Sequence, residues 1–173
     1  MNYFFLSLGS NQEPDKNVPL MVQALLQLSP TIDLSRVVRT EPKGFDSTLI
    51  FFNQAAKIET ALDAKALKEQ LVKIEVQLGR DRKDPNRKLK DRPADIDILF
   101  QLAPGERRIA VSLLPPEPYV RPTLLELIHF LELDCAEVTP VLPDGVPLQI
   151  GAQPFGLQPV QLQRSAVLQT IKA

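Results

Sequence analysis

Asp95 and Asp97, two residues apart in the run from Ala94 to Phe100, are the side chains of this 173-residue chain best placed to do chemistry. Strand alternation predicts Ala94, Ile96, Ile98 and Phe100 on one face and Asp95, Asp97 and Leu99 on the other. Both carboxylates then point the same way. Their Cβ atoms lie about 6.5 Å apart by strand geometry, a spacing that brackets a hard, oxygen-seeking cation or a pair of them. The segment in front carries the opposite charge. From Gly79 to Arg92, seven cations (Arg80, Arg82, Lys83, Arg87, Lys88, Lys90 and Arg92) face three anions, a local charge of +4 in a chain of net charge −1. Taken singly, a basic loop is most often solvated and an Asp-x-Asp pair on an exposed strand serves solubility. Side by side they fit a polyphosphate, which guanidinium groups and Mg²⁺ together can neutralise.

Stepping outward from that strand, the elements that must position it can be read from spacing. Residues 3–8 form an apolar run closed by Gly9-Ser10-Asn11, a buried first strand with a turn. Helical spacing of Val18, Met21, Val22, Leu25, Leu26 and Leu28 predicts a helix over 17–28, stopped before Pro30. Strands are expected at 32–40 and 51–60, joined by ten residues with Pro42 and Gly44, long enough to be a binding loop. Asp63 caps a second helix through Leu67, Leu71, Ile74 and Leu78, ended by Gly79. The order βαββαβ through residue 102 predicts an α+β fold, a ferredoxin-like core with a mainly antiparallel sheet and its helices on one face. Beyond it, 107–113 reads as an edge strand and Thr123 to Leu133 as a helix capped by Thr123. From Gly145 the Gln- and Pro-rich chain reads as extended segments or a loosely packed tail. A single domain is expected, with its core in 1–102, an extension over 103–145 and a divergent tail over 146–173.

Composition narrows the partners. Hydrophobic content of 44% and charged content of 24% are those of an ordinary globular domain, and a net charge of −1 confines any anion binding to a local patch. The one cysteine, Cys135, rules out an internal disulfide framework and suits a reducing compartment. The N-terminal residues have no basic segment ahead of their short apolar run, so a cytoplasmic location is expected. No Gly-x-x-x-x-Gly-Lys-Ser/Thr loop occurs, which excludes ordinary P-loop chemistry.

An ordered set of short phrases is more specific than any of these features. Leu8-Gly9-Ser10-Asn11, Arg39-Thr40 with Pro42 and Gly44, Phe52-Asn53, Ile74-Glu75 with Gly79-Arg80 and Arg82, and Arg92 with Asp95-x-Asp97 follow one another in the first 100 residues. Together they resemble the 6-hydroxymethyl-7,8-dihydropterin pyrophosphokinase family of folate biosynthesis. The resemblance implies transfer of pyrophosphate from ATP to the hydroxymethyl group of a reduced pterin, leaving AMP. It implies two Mg²⁺ ions on Asp95 and Asp97, and ATP contacts from Glu75, Arg80, Arg82, Arg92 and Arg121, with Arg82 and Arg92 catalytic. For the pterin it implies contacts near Thr40, Pro42 and Lys43, an aromatic face at Phe51 and an amide at Asn53. ATP and a reduced pterin are then the partners of a monomer, with neither nucleic acid nor membrane.

The chain departs from that pattern at several places. Lys90-Asp91-Arg92-Pro93 stands where the family has Gly-Pro-Arg, adding a carboxylate. Pro116-Glu117 stands for Pro-His, and Thr123 stands where a phenylalanine forms the second wall around the pterin, with Tyr119 the nearby aromatic able to fill the gap. Two other readings compete. One is a paralogue acting on a different acceptor or only binding nucleotide; the other is an RNA-binding module on the same sheet, disfavoured because no strand is rich in base-stacking aromatics.

Overall fold

The computed structural model describes residues 1–172. Strand β1 (Asn2–Ser10) lies between β4 (Phe51–Thr60) and β5 (Asp95–Leu102), paired antiparallel to both. On the other side of β4 come β2 (Thr31–Leu34) and β3 (Val38–Thr40), again antiparallel, so the sheet runs β5-β1-β4-β2 with β3 beside β4. This is the ferredoxin-like α+β arrangement expected from the order of elements. Helices α1 (Pro14–Leu25) and α2 (Ala64–Gln77) cover one face, where Phe4, Leu6 and Leu8 of β1 meet Met21, Leu25, Leu67 and Leu71 without exposure.

Capping explains why α2 keeps its predicted limits. Asp63 accepts the Ala66 N–H at 2.8 Å, and Gly79, with φ of +104°, takes the left-handed turn after the last residues. Helix α1 starts three residues earlier than expected because Pro14, with its fixed φ and missing N–H, suits the first turn, and Asp15 faces the positive end of the helix. It ends at Leu25, and Leu28 closes only a turn back to the Leu25 carbonyl.

Several expectations are corrected. The strand over 32–40 is two strands, because the Arg36 N–H turns to the Glu126 carboxylate at 2.9 Å and the Val37 N–H to the Gly156 carbonyl at 2.8 Å. Residues 107–113 make no ladder beyond one bridge from Arg108 to Asp134, followed by a short 3₁₀ turn at Val111–Leu113. Helix α3 (Arg121–Phe130) begins two residues before Thr123, which does not cap it; the buried Thr123 hydroxyl donates to the Val120 carbonyl. This helix also lies on the opposite face of the sheet from α1 and α2, with Leu124, Leu127 and Ile128 packed around Phe5 and Phe100. A register shift in β5 allows that. Phe5 pairs with Phe100 but Leu6 with Ile98, so Phe100 leaves the predicted face of Ile96 and Ile98 and stacks on Phe5, ring centroids 4.7 Å apart.

Of the two readings of the C-terminal stretch, extended segments hold for three short strands, and the loose tail does not, since the stretch packs on the core. Strands β6 (Leu148–Ile150) and β7 (Gln153–Phe155) form a hairpin, β8 (Val160–Gln163) extends the main sheet beside β2, and helix α4 (Arg164–Lys172) follows. Ile150, Phe155, Leu162 and Val167 are buried in the main core. Gly156 is required where this segment meets the rest: its φ is +99°, and a Cβ there would lie 2.1 Å from the Val146 carbonyl oxygen.

Candidate active site

Because β1, β4 and β5 are neighbours, their residues on the α3 face meet at one end of the sheet and enclose a cavity of about 250 Å³. Seven of the residues singled out in the sequence line it: Thr40, Lys43, Phe51, Asn53, Arg92, Asp95 and Asp97. Asn53 is 5% exposed and donates to the Thr40 hydroxyl, which leaves the rest of its amide for a ligand. Phe51 presents its ring beside it, braced edge-on by Phe45 at 6.1 Å.

The two aspartates do share a face, as strand alternation requires, but their surroundings differ. Asp95 accepts from Arg80 at 2.9 Å and lies 3.8 Å from an Arg92 nitrogen. Asp97 has neither a salt bridge nor a hydrogen bond from its side chain to other described residues. Asp97 is exposed toward the cavity, yet the groups crowded around its carboxyl strip part of its water, and this desolvation, reinforced by the charge of Asp95, holds it above the usual range. Between that usual range and the raised value, the folded protein keeps a proton that the unfolded chain has released, so stability falls as pH rises through this window. Asp97→Asn therefore melts at a higher temperature than the wild type at neutral pH, and the gap closes below about pH 4. A gap of the same size at both pH values would mean that Asp97 carries no electrostatic strain.

Behind the aspartates sits Glu75, with no exposure at all. Oε2 accepts from Arg80 at 2.9 Å and from the Ile96 backbone N–H at 2.9 Å, and Oε1 accepts from Arg82 at 2.7 Å. Glu75, Arg80 and Arg82 thus form a layer under the cavity rather than its wall. Expected as an ATP contact, Glu75 has both oxygens engaged and acts here as the anchor of two guanidiniums and of β5. Arg121 is also held elsewhere: it pairs with Glu137 through two nitrogens at 2.6 and 2.7 Å and donates to the Leu114 and Pro115 carbonyls. Neither Arg121 nor Pro42 lines the cavity.

Thr123, placed by sequence at the second aromatic wall, is 2% exposed within α3 and outside the cavity, whereas Tyr119 and Glu117 line it. The Tyr119 phenol is held above its usual range by burial first and Glu117 second, with Asp95 and Asp97 adding to it. Tyr119 is the aromatic two residues before Arg121 that the sequence offers for the gap, and Glu117, which stands for the family's histidine, lines the same cavity.

The donor set suits Mg²⁺ and a polyphosphate. Among the described residues no three His, Cys, Asp or Glu side chains are arranged to hold a metal by themselves. Two carboxylates that leave most positions to water and substrate oxygens are what Mg²⁺ prefers. In addition, the buried Nε donors of Arg80 and Arg92 lack partners among the described residues, as groups awaiting an anion would. Among the described residues no helix is long and apolar enough to cross a membrane.

Comparison with known proteins gives a consistent result. Residues 5–133 match the family of 7,8-dihydro-6-hydroxymethylpterin-pyrophosphokinase (HPPK). A 2-amino-4-hydroxy-6-hydroxymethyldihydropteridine pyrophosphokinase of Porphyromonas gingivalis is 29% identical over 150 residues, covering 85% of this chain and 97% of the relative. The enzyme of the same name from Bacillus subtilis is 30% identical over 140 residues, 79% of this chain and 80% of the relative. That from Haemophilus influenzae is 34% identical over 99 residues, 56% of this chain and 60% of the relative.

Proposed function

The chain belongs to the 7,8-dihydro-6-hydroxymethylpterin-pyrophosphokinase family, and from that premise we propose how its residues divide the work of moving a pyrophosphoryl group from ATP to 6-hydroxymethyl-7,8-dihydropterin, with release of AMP. The observation that carries the reading is the meeting, in one cavity, of a paired-aspartate wall with an aromatic and amide wall.

Asp95 and Asp97 would hold Mg²⁺, two ions in the full complex. Bound there, the metal would supply positive charge to neutralise that of the phosphates. The chain's own part is positioning. Arg92 reaches the phosphates from the cavity wall, while Arg80 and Arg82, anchored on Glu75, supply positive potential from beneath. On the acceptor side the flat ring lies against Phe51, and the Asn53 amide with Thr40 reads its polar edge. The hydroxymethyl oxygen is thereby aimed at the aspartate end, so that the oxygen–Pβ bond forms as the bond from Pβ to the AMP oxygen breaks, with the hydroxyl proton released to water. A monomer in the cytoplasm, without nucleic-acid or membrane partners, completes this reading.

Tyr119 supplies the second wall in place of the expected phenylalanine. Tyr119→Ala weakens pterin binding by roughly 2- to 13-fold from the lost aromatic contact alone, while Tyr119→Phe binds within about twofold of wild type. Thr123→Phe, by contrast, crowds the α3 core and costs about 1–3 kcal/mol of stability without tightening pterin binding. Calorimetric titration of the pterin in the presence of Mg²⁺ and a non-hydrolysable ATP analogue tests the acceptor half: saturable binding, lost in Asn53→Ala, is expected. Absence of saturation in the wild-type protein would overturn the acceptor assignment in favour of another small molecule.

A further inference from the structure

Asp91 is the extra carboxylate of the basic segment, and the structure uses it unlike its neighbours. Asp84, in the same segment, pairs with Lys90. Asp91, with cations before and after it in sequence, has no described Lys or Arg within ion-pair distance. Its Oδ1 instead accepts from two neutral donors on other elements, the Asn11 amide at 2.7 Å and the Ser47 hydroxyl at 2.5 Å. Asn11, 2% exposed at the end of β1, is itself fastened to the next residue: its Oδ1 accepts the Arg92 N–H at 2.6 Å, and its backbone N–H donates to the Arg92 carbonyl at 3.0 Å. Ser47 belongs to the loop between β3 and β4. A second bridge reaches that loop from Arg92, whose guanidinium carbon lies 5.3 Å from the centre of the Phe45 ring. Phe45 in turn braces Phe51 in the cavity wall.

The loop over 41–50, the basic loop over 79–92 and the end of β1 therefore meet at the Asp91 carboxylate, flanked by the Arg92–Phe45 contact and by a long hydrogen bond from the Asn11 amide to the Leu49 carbonyl at 3.5 Å. We propose that Asp91 is a positioning residue, the pin that makes these two loops move as one unit, so that ordering of the basic loop around phosphates also orders the loop over the acceptor; the assignment of loops to substrates rests on the function proposed above. A charged acceptor makes stronger hydrogen bonds than a neutral one, so one carboxylate can hold two chain segments with two bonds. Coupling of this kind is reciprocal: loosening either loop loosens the other.

Hydrogen exchange on the ligand-free protein tests the pin without reference to substrate. Ser47→Ala should speed exchange at residues 84–92, in the other loop, by roughly fivefold or more, and Asp91→Ala should do the same at residues 44–50. The double variant should exchange no faster than Asp91→Ala alone. Asp91→Asn, which keeps an acceptor oxygen, should recover most of the wild-type protection. If each substitution speeds only its own loop, the pin does not exist. A second arm adds Mg²⁺ and an ATP analogue with a methylene bridge between the α- and β-phosphates. It should slow exchange at 44–50 in the wild type and leave Asp91→Ala unaffected in that loop. Reciprocity without ligand, combined with no analogue effect in the wild type, would keep the pin and remove the substrate assignment.

Discussion

Asp95→Ala and Asp97→Ala each turn over at no more than about one hundredth of the wild-type rate, since loss of a preorganised charge-stabilising contact to a transferring phosphoryl group costs of order 10²–10³. The two variants separate in stability. Asp95 accepts from Arg80, which is only 9% exposed, so its removal leaves a nearly buried guanidinium with one partner fewer and lowers the melting temperature. Desolvation and the charge of Asp95 disfavour the ionised form of Asp97, so its removal leaves the fold as stable or more so. Steady-state AMP formation and thermal melts on the same preparations check both halves. Near-normal turnover in either variant would remove the metal assignment, whatever the melts show.

The second large effect belongs to Glu75. Two arginines and a strand N–H converge on a carboxylate with no exposure. Glu75→Ala leaves Arg80 without its deepest partner and frees the Ile96 N–H at the level of Asp95 and Asp97, so stability falls by about 3–5 kcal/mol. Urea unfolding measures this directly. Glu75→Gln keeps one acceptor oxygen but turns an N–H₂ toward a guanidinium, so it recovers only part of the loss. Arg82→Ala costs far less, because its side chain is 29% exposed and can already draw on solvent. Equal costs for Glu75→Ala and Arg82→Ala would show that Glu75 is not the centre of this layer.

What the sequence makes legible is local. Strand β4 and helix α2 keep their predicted limits, α2 because Asp63 and Gly79 sit at its ends. The aspartate face is legible because it is a matter of period two over three residues. The misread elements depend on partners far along the chain. The break between β2 and β3 is made by Glu126 and Gly156, each at least 90 residues away, and no pattern around Ser35 announces it. Phe100 changes face through a register shift that alternation cannot contain. Strand β8 is legible only as one of several extended segments, and its place beside β2 is not, because its glutamines face outward on an edge and only Leu162 is buried. In the site, Glu75 is an ATP contact only by resemblance, and the convergence of Arg80, Arg82 and the Ile96 N–H on it is invisible in the sequence because those groups meet only in the fold.

The central claim is that the aspartate wall and the aromatic wall serve one transfer reaction. The most direct measurement incubates the protein with ATP, Mg²⁺ and 6-hydroxymethyl-7,8-dihydropterin and follows nucleotide products by phosphorus NMR. One AMP should appear for each pterin consumed, with both the β- and γ-phosphoryl groups on the pterin and no reaction when Mg²⁺ or pterin is left out. Formation of ADP, or loss of ATP at the same rate without pterin, would contradict it.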